Sequence, residues 1–480
     1  GAAPAPEPPP RAVADRLTRN MVILACAVDA ADKQLLPASF KAIDEQLHLG
    51  PSRLAAMSFA QSITYSLSLP LWGALLRNYP ARTLLMTGCF LWSFATYLQA
   101  AVTTYAMQVL LRGLVGVALA SVSPVAQAML CDAVPEDERG YAFGLMQSFS
   151  ALTSMAVSFG TTCIASMEIG GIRGWRVAHV VVATLSACLG LGIRWLLEPK
   201  PPAPAGDDSW LAAQRRVVAK IASRPTFVIM VLQGVTGGIP WNGLTFLTFY
   251  WQISGFSPVQ AAEISLFTNM GGIVAGVLGG VLGDHFAKAF GTSGRCAVAQ
   301  ASVFLGTVAF LCLVKFGEYG FFTACVVGFL FQTLSGWTVA GALQPMCGEL
   351  FNSGHERAQV LALWNALEGI ISSFCGAPVV GMVSELCGYK LSAGSGGALS
   401  SRQAAHNRDA FRLALEAVAV LPWTLCFVAW VPMYWTYPYD LARGRARADQ
   451  WEAVPVAEDA PHRHLVDSGS RADYHKFAFE

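Results

Sequence analysis

The sequence predicts an all-α membrane protein, with twelve transmembrane helices arranged as two six-helix bundles. Three observations carry this reading. The composition is that of a chain solvated by lipid: 54% of residues are hydrophobic and only 13% charged, where soluble domains carry about a quarter charged residues. Apolar runs of about 20 residues, the length that crosses the hydrocarbon core, recur along the chain. A stretch of different composition separates the sixth run from the seventh, so the runs fall into two equal sets.

The first set lies near Asn20–Ala42, Arg53–Leu76, Thr83–Thr103, Tyr105–Leu130, Ala142–Ser166 and Val177–Leu197. The second lies near Thr226–Gln252, Ala261–Leu282, Cys296–Val314, Gly320–Pro345, Val360–Leu386 and Phe411–Tyr434. Residues 1–19 read as a disordered tail, 20–198 as the first bundle, 199–224 as a linker, 225–440 as the second bundle and 441–480 as a polar tail, disordered or surface-bound. Within the linker, Trp210–Arg224 reads as a basic amphipathic helix suited to a membrane surface. Arg16 and Arg19 lead straight into a long span, so no cleavable signal peptide is read there. Lys and Arg are denser in the loops on the side of the termini and linker, which places that side in the cytosol. The two halves are expected to superpose about an axis along the membrane normal.

Several function classes are excluded. A net charge of +1 exerts no pull toward nucleic acid. The twelve cysteines form no CxxC pair and no zinc spacing with histidine. No HExxH, GxSxG or Walker loop is present, so the chain reads as a non-enzyme without metal or cofactor.

Charges inside the spans mark candidate sites. A charge at bilayer depth costs on the order of 3 kcal/mol, so it persists only beside a partner or water. In the first span, Asp29 and Lys33 are four apart with the acid first, the favoured order for a pair. Asp32, about a hundred degrees around the helix from Lys33, has no local partner. It is expected to face a central aqueous cavity or Arg112 of the fourth span, and to bind substrate or carry the coupling proton. A buried ion network that only holds helices together is the structural alternative. Arg112 stays charged and can pair an acid or a substrate anion, or snorkel outward.

Gln233, Gly234, Gly237, Gly238, Pro240, Trp241 and Asn242 make the seventh span breakable, as a gating or substrate-binding helix or through close packing. Trp364, Asn365 and Glu368 share a face of the eleventh span and read as cavity-lining. His179 reads as structural. Trp430, Tyr434, Trp435, Tyr437 and Tyr439 read as an interfacial aromatic belt.

The loops sharpen the function. Gly73-Ala-Leu-Leu-Arg77-Asn-Tyr-Pro-Ala-Arg82 follows the second span, and Gly280-Val-Leu-Gly-Asp284-His285 stands at the matching place in the second half. Arg112-Gly113 and Gly116 lie in the fourth span, which ends in Asp132-Ala-Val-Pro135 and Arg139. Glu349 and Arg357 echo that loop after the tenth span. Together these resemble the loop and helix signatures of the major facilitator superfamily, with Arg77 standing where an acid is usual. The run Gly237-Gly-Ile-Pro240-Trp241-Asn242 is similar to the seventh span of the spinster-like branch.

The resemblance implies a major facilitator fold and a monomeric secondary transporter working by alternating access on a small organic solute or lysolipid, with membrane lipids as its other partners and protons as the coupling ion. It also implies a cytosolic gate: Arg77, Arg82, Asp132, Arg139, Asp284, Glu349 and Arg357 would form salt bridges that hold the outward-facing state. A sensor or scaffold that has kept the transporter fold is the alternative function.

Overall fold

The computed structural model describes residues 11–135, 138–198, 215, 218–219, 223–350, 354–390 and 400–452. Among them, ten helices are long and apolar enough to cross a membrane. They are Ala81–Ala101, Tyr105–Ala133, Tyr141–Ile164, Gly174–Leu196, Pro225–Ile253, Pro258–Phe290, Thr292–Tyr319, Phe321–Cys347, Leu363–Leu386 and Ser401–Ala429. Two further helices, Arg11–Leu47 and Gly50–Leu75, are 37 and 26 residues long. They are more polar because the first carries Asp29, Asp32 and Lys33 and the second a row of serines, yet both pack among the others. With these the spans number twelve.

Packing follows one scheme in both halves. The first span packs on the fifth, the second on the fourth and the third on the sixth. In the second half the seventh packs on the eleventh, the eighth on the tenth and the ninth on the twelfth. The second–fourth crossing is close because Gly116 has no side chain: a Cβ there would meet Thr64 Oγ1 at 2.2 Å and the Gln61 carbonyl at 2.3 Å. Its counterpart in the second half is Gly271, whose Cβ would meet the Phe329 carbonyl at 2.2 Å. Since the blocking atoms include backbone, Gly116→Val should force the helices apart and destabilise the fold by about 1–3 kcal/mol, the usual range for overpacking. Gly113→Ala, with its nearest neighbour at 3.6 Å, should be nearly silent. Thermal unfolding of the purified variants separates the two.

The span positions agree with the expected ones to within a few residues, except in the eighth span, which runs on to Phe290 past the expected Leu282, and at the ends of the chain. Helix begins at Arg11 within the expected tail. The last span starts at Ser401 rather than Phe411, its first turn capped by the Ser400 hydroxyl accepting from the Gln403 N–H at 3.2 Å. These polar turns project beyond the apolar run, where a hydropathy ruler does not register them. The seventh span is helical straight through Gly237 and Gly238 and changes to a 3₁₀ turn only at Leu244–Phe246.

A final helix, Met433–Glu452, starts at the end of the expected second bundle and runs on into the tail expected to be disordered or surface-bound. It is docked: the Asp440 carboxylate accepts from the Thr226 N–H at 2.9 Å, at the start of the seventh span, and Tyr437 donates to Glu349. Trp430 and Tyr437 are fully buried and so are core residues rather than a lipid-facing belt, whereas Trp435 and Tyr439 are exposed. Of the linker helix, Arg216 and Lys220 lie outside the described residues, and Arg224 donates to the Leu350 carbonyl.

The halves meet mainly through the second span on the eleventh and the fifth on the eighth. Polar and ring contacts close their outer ends. Phe40 stacks on Phe246 with centroids 4.5 Å apart. Lys41 donates to the Gln252 carbonyl at 3.1 Å, and the Ser52 N–H donates to Glu385 at 3.0 Å. The outer ends of spans two and eleven touch so closely that a Cβ on Gly381 would lie 2.7 Å from Ser52 Cα.

Candidate functional site

A cavity of about 660 Å³ lies between the halves beneath this seal. Spans one, two, four and five line it from one side, and seven, eight, ten and eleven from the other. Most residues lining it bear an amide or hydroxyl, among them Gln34, Gln61, Ser62, Tyr65 and Ser66 from the first half and Asn242, Thr248, Asn269, Gln332 and Asn365 from the second, interspersed with apolar side chains such as Leu36, Leu69, Leu244 and Phe331. Trp241 adds an aromatic wall, held edge-on against Trp423 at 5.8 Å. Asn242 is fixed by donating to Ser372 Oγ at 3.0 Å. Among the described residues that line it, Lys33 is the one charged side chain. Its ammonium donates to Asp29 Oδ2 at 2.7 Å and sits 4.5 Å from the Tyr65 ring centroid.

Of the residues singled out from sequence, Lys33, Trp241, Asn242 and Asn365 therefore reach the cavity. Asp32 does not. It is 0% exposed, accepts from Thr96 Oγ1 at 3.0 Å and leaves its second oxygen without a partner. The reason is rotation: Lys33, the next residue, takes the cavity side of the helix and turns Asp32 into the first bundle. Arg112 is 1% exposed and does not snorkel. Its guanidinium meets His179 Nε2 at 2.8 Å and donates to Gln61 Oε1 at 3.3 Å. With the Gln99 carbonyl turned toward the fourth span, it also donates there at 3.1 Å.

His179 Nδ1 lies 2.7 Å from the Trp175 carbonyl. A carbonyl only accepts, so Nδ1 carries the hydrogen and Nε2 accepts from Arg112. Asp32 feels the Arg112 charge without forming an ion pair with it. Gln61 both lines the cavity and touches Arg112, which makes it the link between solute space and buried network.

In the second half Gln233 is buried, donating to the Met230 carbonyl at 2.9 Å. Glu368 is absent from the lining as well. Its carboxylate and the Trp364 indole fill a groove on the seventh span, where Cβ atoms at Gly238 and Gly234 would lie 2.7 Å and 2.5 Å from them. Those glycines thus serve close packing.

In the second half two of the expected gate residues are joined through one arginine. Arg295 bridges Asp284 at 3.1 Å and Glu349 at 3.2 Å. Burial, with the Glu349 carboxylate beside it, pushes the Tyr437 phenol above its usual range, so it stays a donor to that carboxylate. In the first half, Arg82 donates to the Arg194 carbonyl and Arg139 to the Cys131 carbonyl at 3.0 Å. Asp132 is exposed, and Arg77 stands where an acid is usual. The Arg357 side chain lies outside the described residues.

Two similarly packed bundles around a central cavity, closed at one end, define a secondary transporter in a multi-pass membrane protein. The chain belongs to the Major Facilitator Superfamily, whose family model matches residues 22–376. It is 24% identical over 316 residues to a probable sulfoacetate transporter of Cupriavidus necator, covering 62% of this chain and 72% of that one. It is 27% identical over 269 residues to protein spinster homolog 1 of Xenopus tropicalis, covering 52% of this chain and 49%, about half, of that relative. Among solved structures, a bacterial homolog of the human lysosomal transporter Spinster, inward-facing and unoccupied, superposes with a TM-score of 0.74 at 15% identity, over 91% of this chain and 99% of that one.

Proposed function

We propose that the chain carries a small polar solute across the membrane, bound in the cavity between the halves, with protons as the driving ion. The observation that carries this is the lining: amides and hydroxyls from both halves converge on a volume of about 660 Å³, within the range of small-molecule sites. A lysolipid tail would strand those groups without hydrogen bonds, each loss costing roughly 1–3 kcal/mol. The relative named for sulfoacetate, a small polar molecule, supports the same class. Solute contacts drawn from both halves suit alternating access, because closure on either side completes the site.

The test is counterflow in proteoliposomes holding the full chain, with labelled sugars, sugar acids and small carboxylates. Exchange of at least one of these, reduced about tenfold or more by Asn242→Ala or Asn365→Ala, is expected from the loss of a buried hydrogen bond. Movement of lysophospholipid between leaflets, with no polar solute exchanged, would overturn the reading.

A further inference from the structure

We infer that the solute is a small organic anion, a carboxylate or sulfonate, and that Lys33 is the group that holds its charge. This rests on the reading that the cavity is the solute site. Among the described residues every other side chain lining it is uncharged, so Lys33 sets the electrostatic character of that lining. The lysine enters from the middle of the first span with 37% of its side chain exposed. Asp29 takes one of its three N–H groups, and the Tyr65 ring steadies it by a cation–π contact.

Asp29 is the carboxylate that an anionic solute would have to displace from Lys33. Only one of its oxygens is used, and the other has no partner. The pair is local, four residues along one helix, so it needs no other part of the protein to form. An incoming acid competes for the same ammonium. It gains a charge-assisted hydrogen bond together with the attraction of opposite charges, whereas an isosteric amide or alcohol accepts from the ammonium without that charge–charge attraction. A cationic solute meets the ammonium directly and is disfavoured. Gln61, Asn242, Asn365 and Gln332 line the same space and can satisfy the uncharged part of the solute.

The experiment measures dissociation constants of the purified full chain at pH 7.5 for matched pairs: nicotinate against nicotinamide, gluconate against glucose, and isethionate against its methyl sulfone. The acid of at least one pair should bind about tenfold or more tighter than its neutral partner. Lys33→Gln should erase that preference, and Lys33→Arg should keep it. Asp29→Asn, which removes the competing carboxylate, should tighten acid binding severalfold and leave neutral binding unchanged.

Because Lys33→Gln leaves Asp29 unpaired, the double variant Asp29→Asn/Lys33→Gln serves as the folded control. It should bind acid and neutral partner alike. Acid preference that survives loss of Lys33, or neutral partners that bind as tightly as acids to the parent chain, would overturn the inference while leaving the cavity as the solute site. No binding by any member of any pair would overturn both.

Discussion

Replacing Asp32 with Asn should leave solute exchange intact and abolish accumulation. The side chain is wholly buried in the first bundle, with one oxygen on Thr96 and the other unpartnered. Arg112 supplies attraction without contact, three of its donors being turned to Gln61, His179 and Gln99. A carboxylate so placed can take a proton without breaking an ion pair, and Asn imitates that loaded form in size and shape. In proteoliposomes, counterflow with no gradient should run near the parental rate in Asp32→Asn. An imposed gradient of one pH unit, with the membrane potential clamped, supports up to about tenfold accumulation when one proton accompanies each solute, and the parent should approach that while the variant stays at equality. If the variant concentrates solute as the parent does, Asp32 only holds the bundle together. Gln61 touches both the cavity and Arg112.

Gly381→Leu should trap the transporter with its outer end parted. The atoms that block a side chain there are backbone: Ser52 Cα at 2.7 Å and the Pro51 carbonyl at 2.9 Å. The outer ends of spans two and eleven therefore cannot meet as they do here. Overpacking of this kind costs about 1–3 kcal/mol. Charged against the outward-closed state alone, that shifts the population roughly fivefold to more than a hundredfold toward the outward-open one. Transport should fall at least tenfold, and a cysteine at Ser66, which lines the cavity, should react faster with a membrane-impermeant thiol reagent added outside. Unchanged labelling with normal transport would show that the contact is no part of the outer seal.

The spans and their division into halves were legible because apolar length and a Pro-rich interruption are properties of sequence alone. The site was legible in part. Lys33, Trp241, Asn242 and Asn365 reach the cavity, but Asp32 and Arg112 face the interior of one bundle. A charge at depth announces that a partner exists without saying on which side, and one residue of helical rotation, about a hundred degrees, decides between solute and neighbour.

The second span was placed correctly, but its part in lining the cavity was missed. Ser58, Gln61, Ser62, Tyr65 and Ser66 recur at three- and four-residue spacing and form one polar stripe down the cavity wall. That stripe was available as a signal, but uncharged residues in a span attract no suspicion singly. The glycines of the seventh span misled for a related reason: lack of a side chain serves a break and a tight crossing equally, and here Glu368 and Trp364 fill the room.

The docked helix Met433–Glu452 changes what a label on the C-terminal region reports. Asp440 occupies the positive end of the seventh-span helix, satisfying an N–H that otherwise has no partner in the first turn, and Tyr437 ties the same helix to Glu349. The helix thus travels with the second bundle as one body, although it follows the last span and looks from sequence like a loose end. A fluorophore fixed to it reads the position of that bundle. A partner dye at Leu196, the inner end of the sixth span, completes a molecular ruler whose length changes each time the protein turns over.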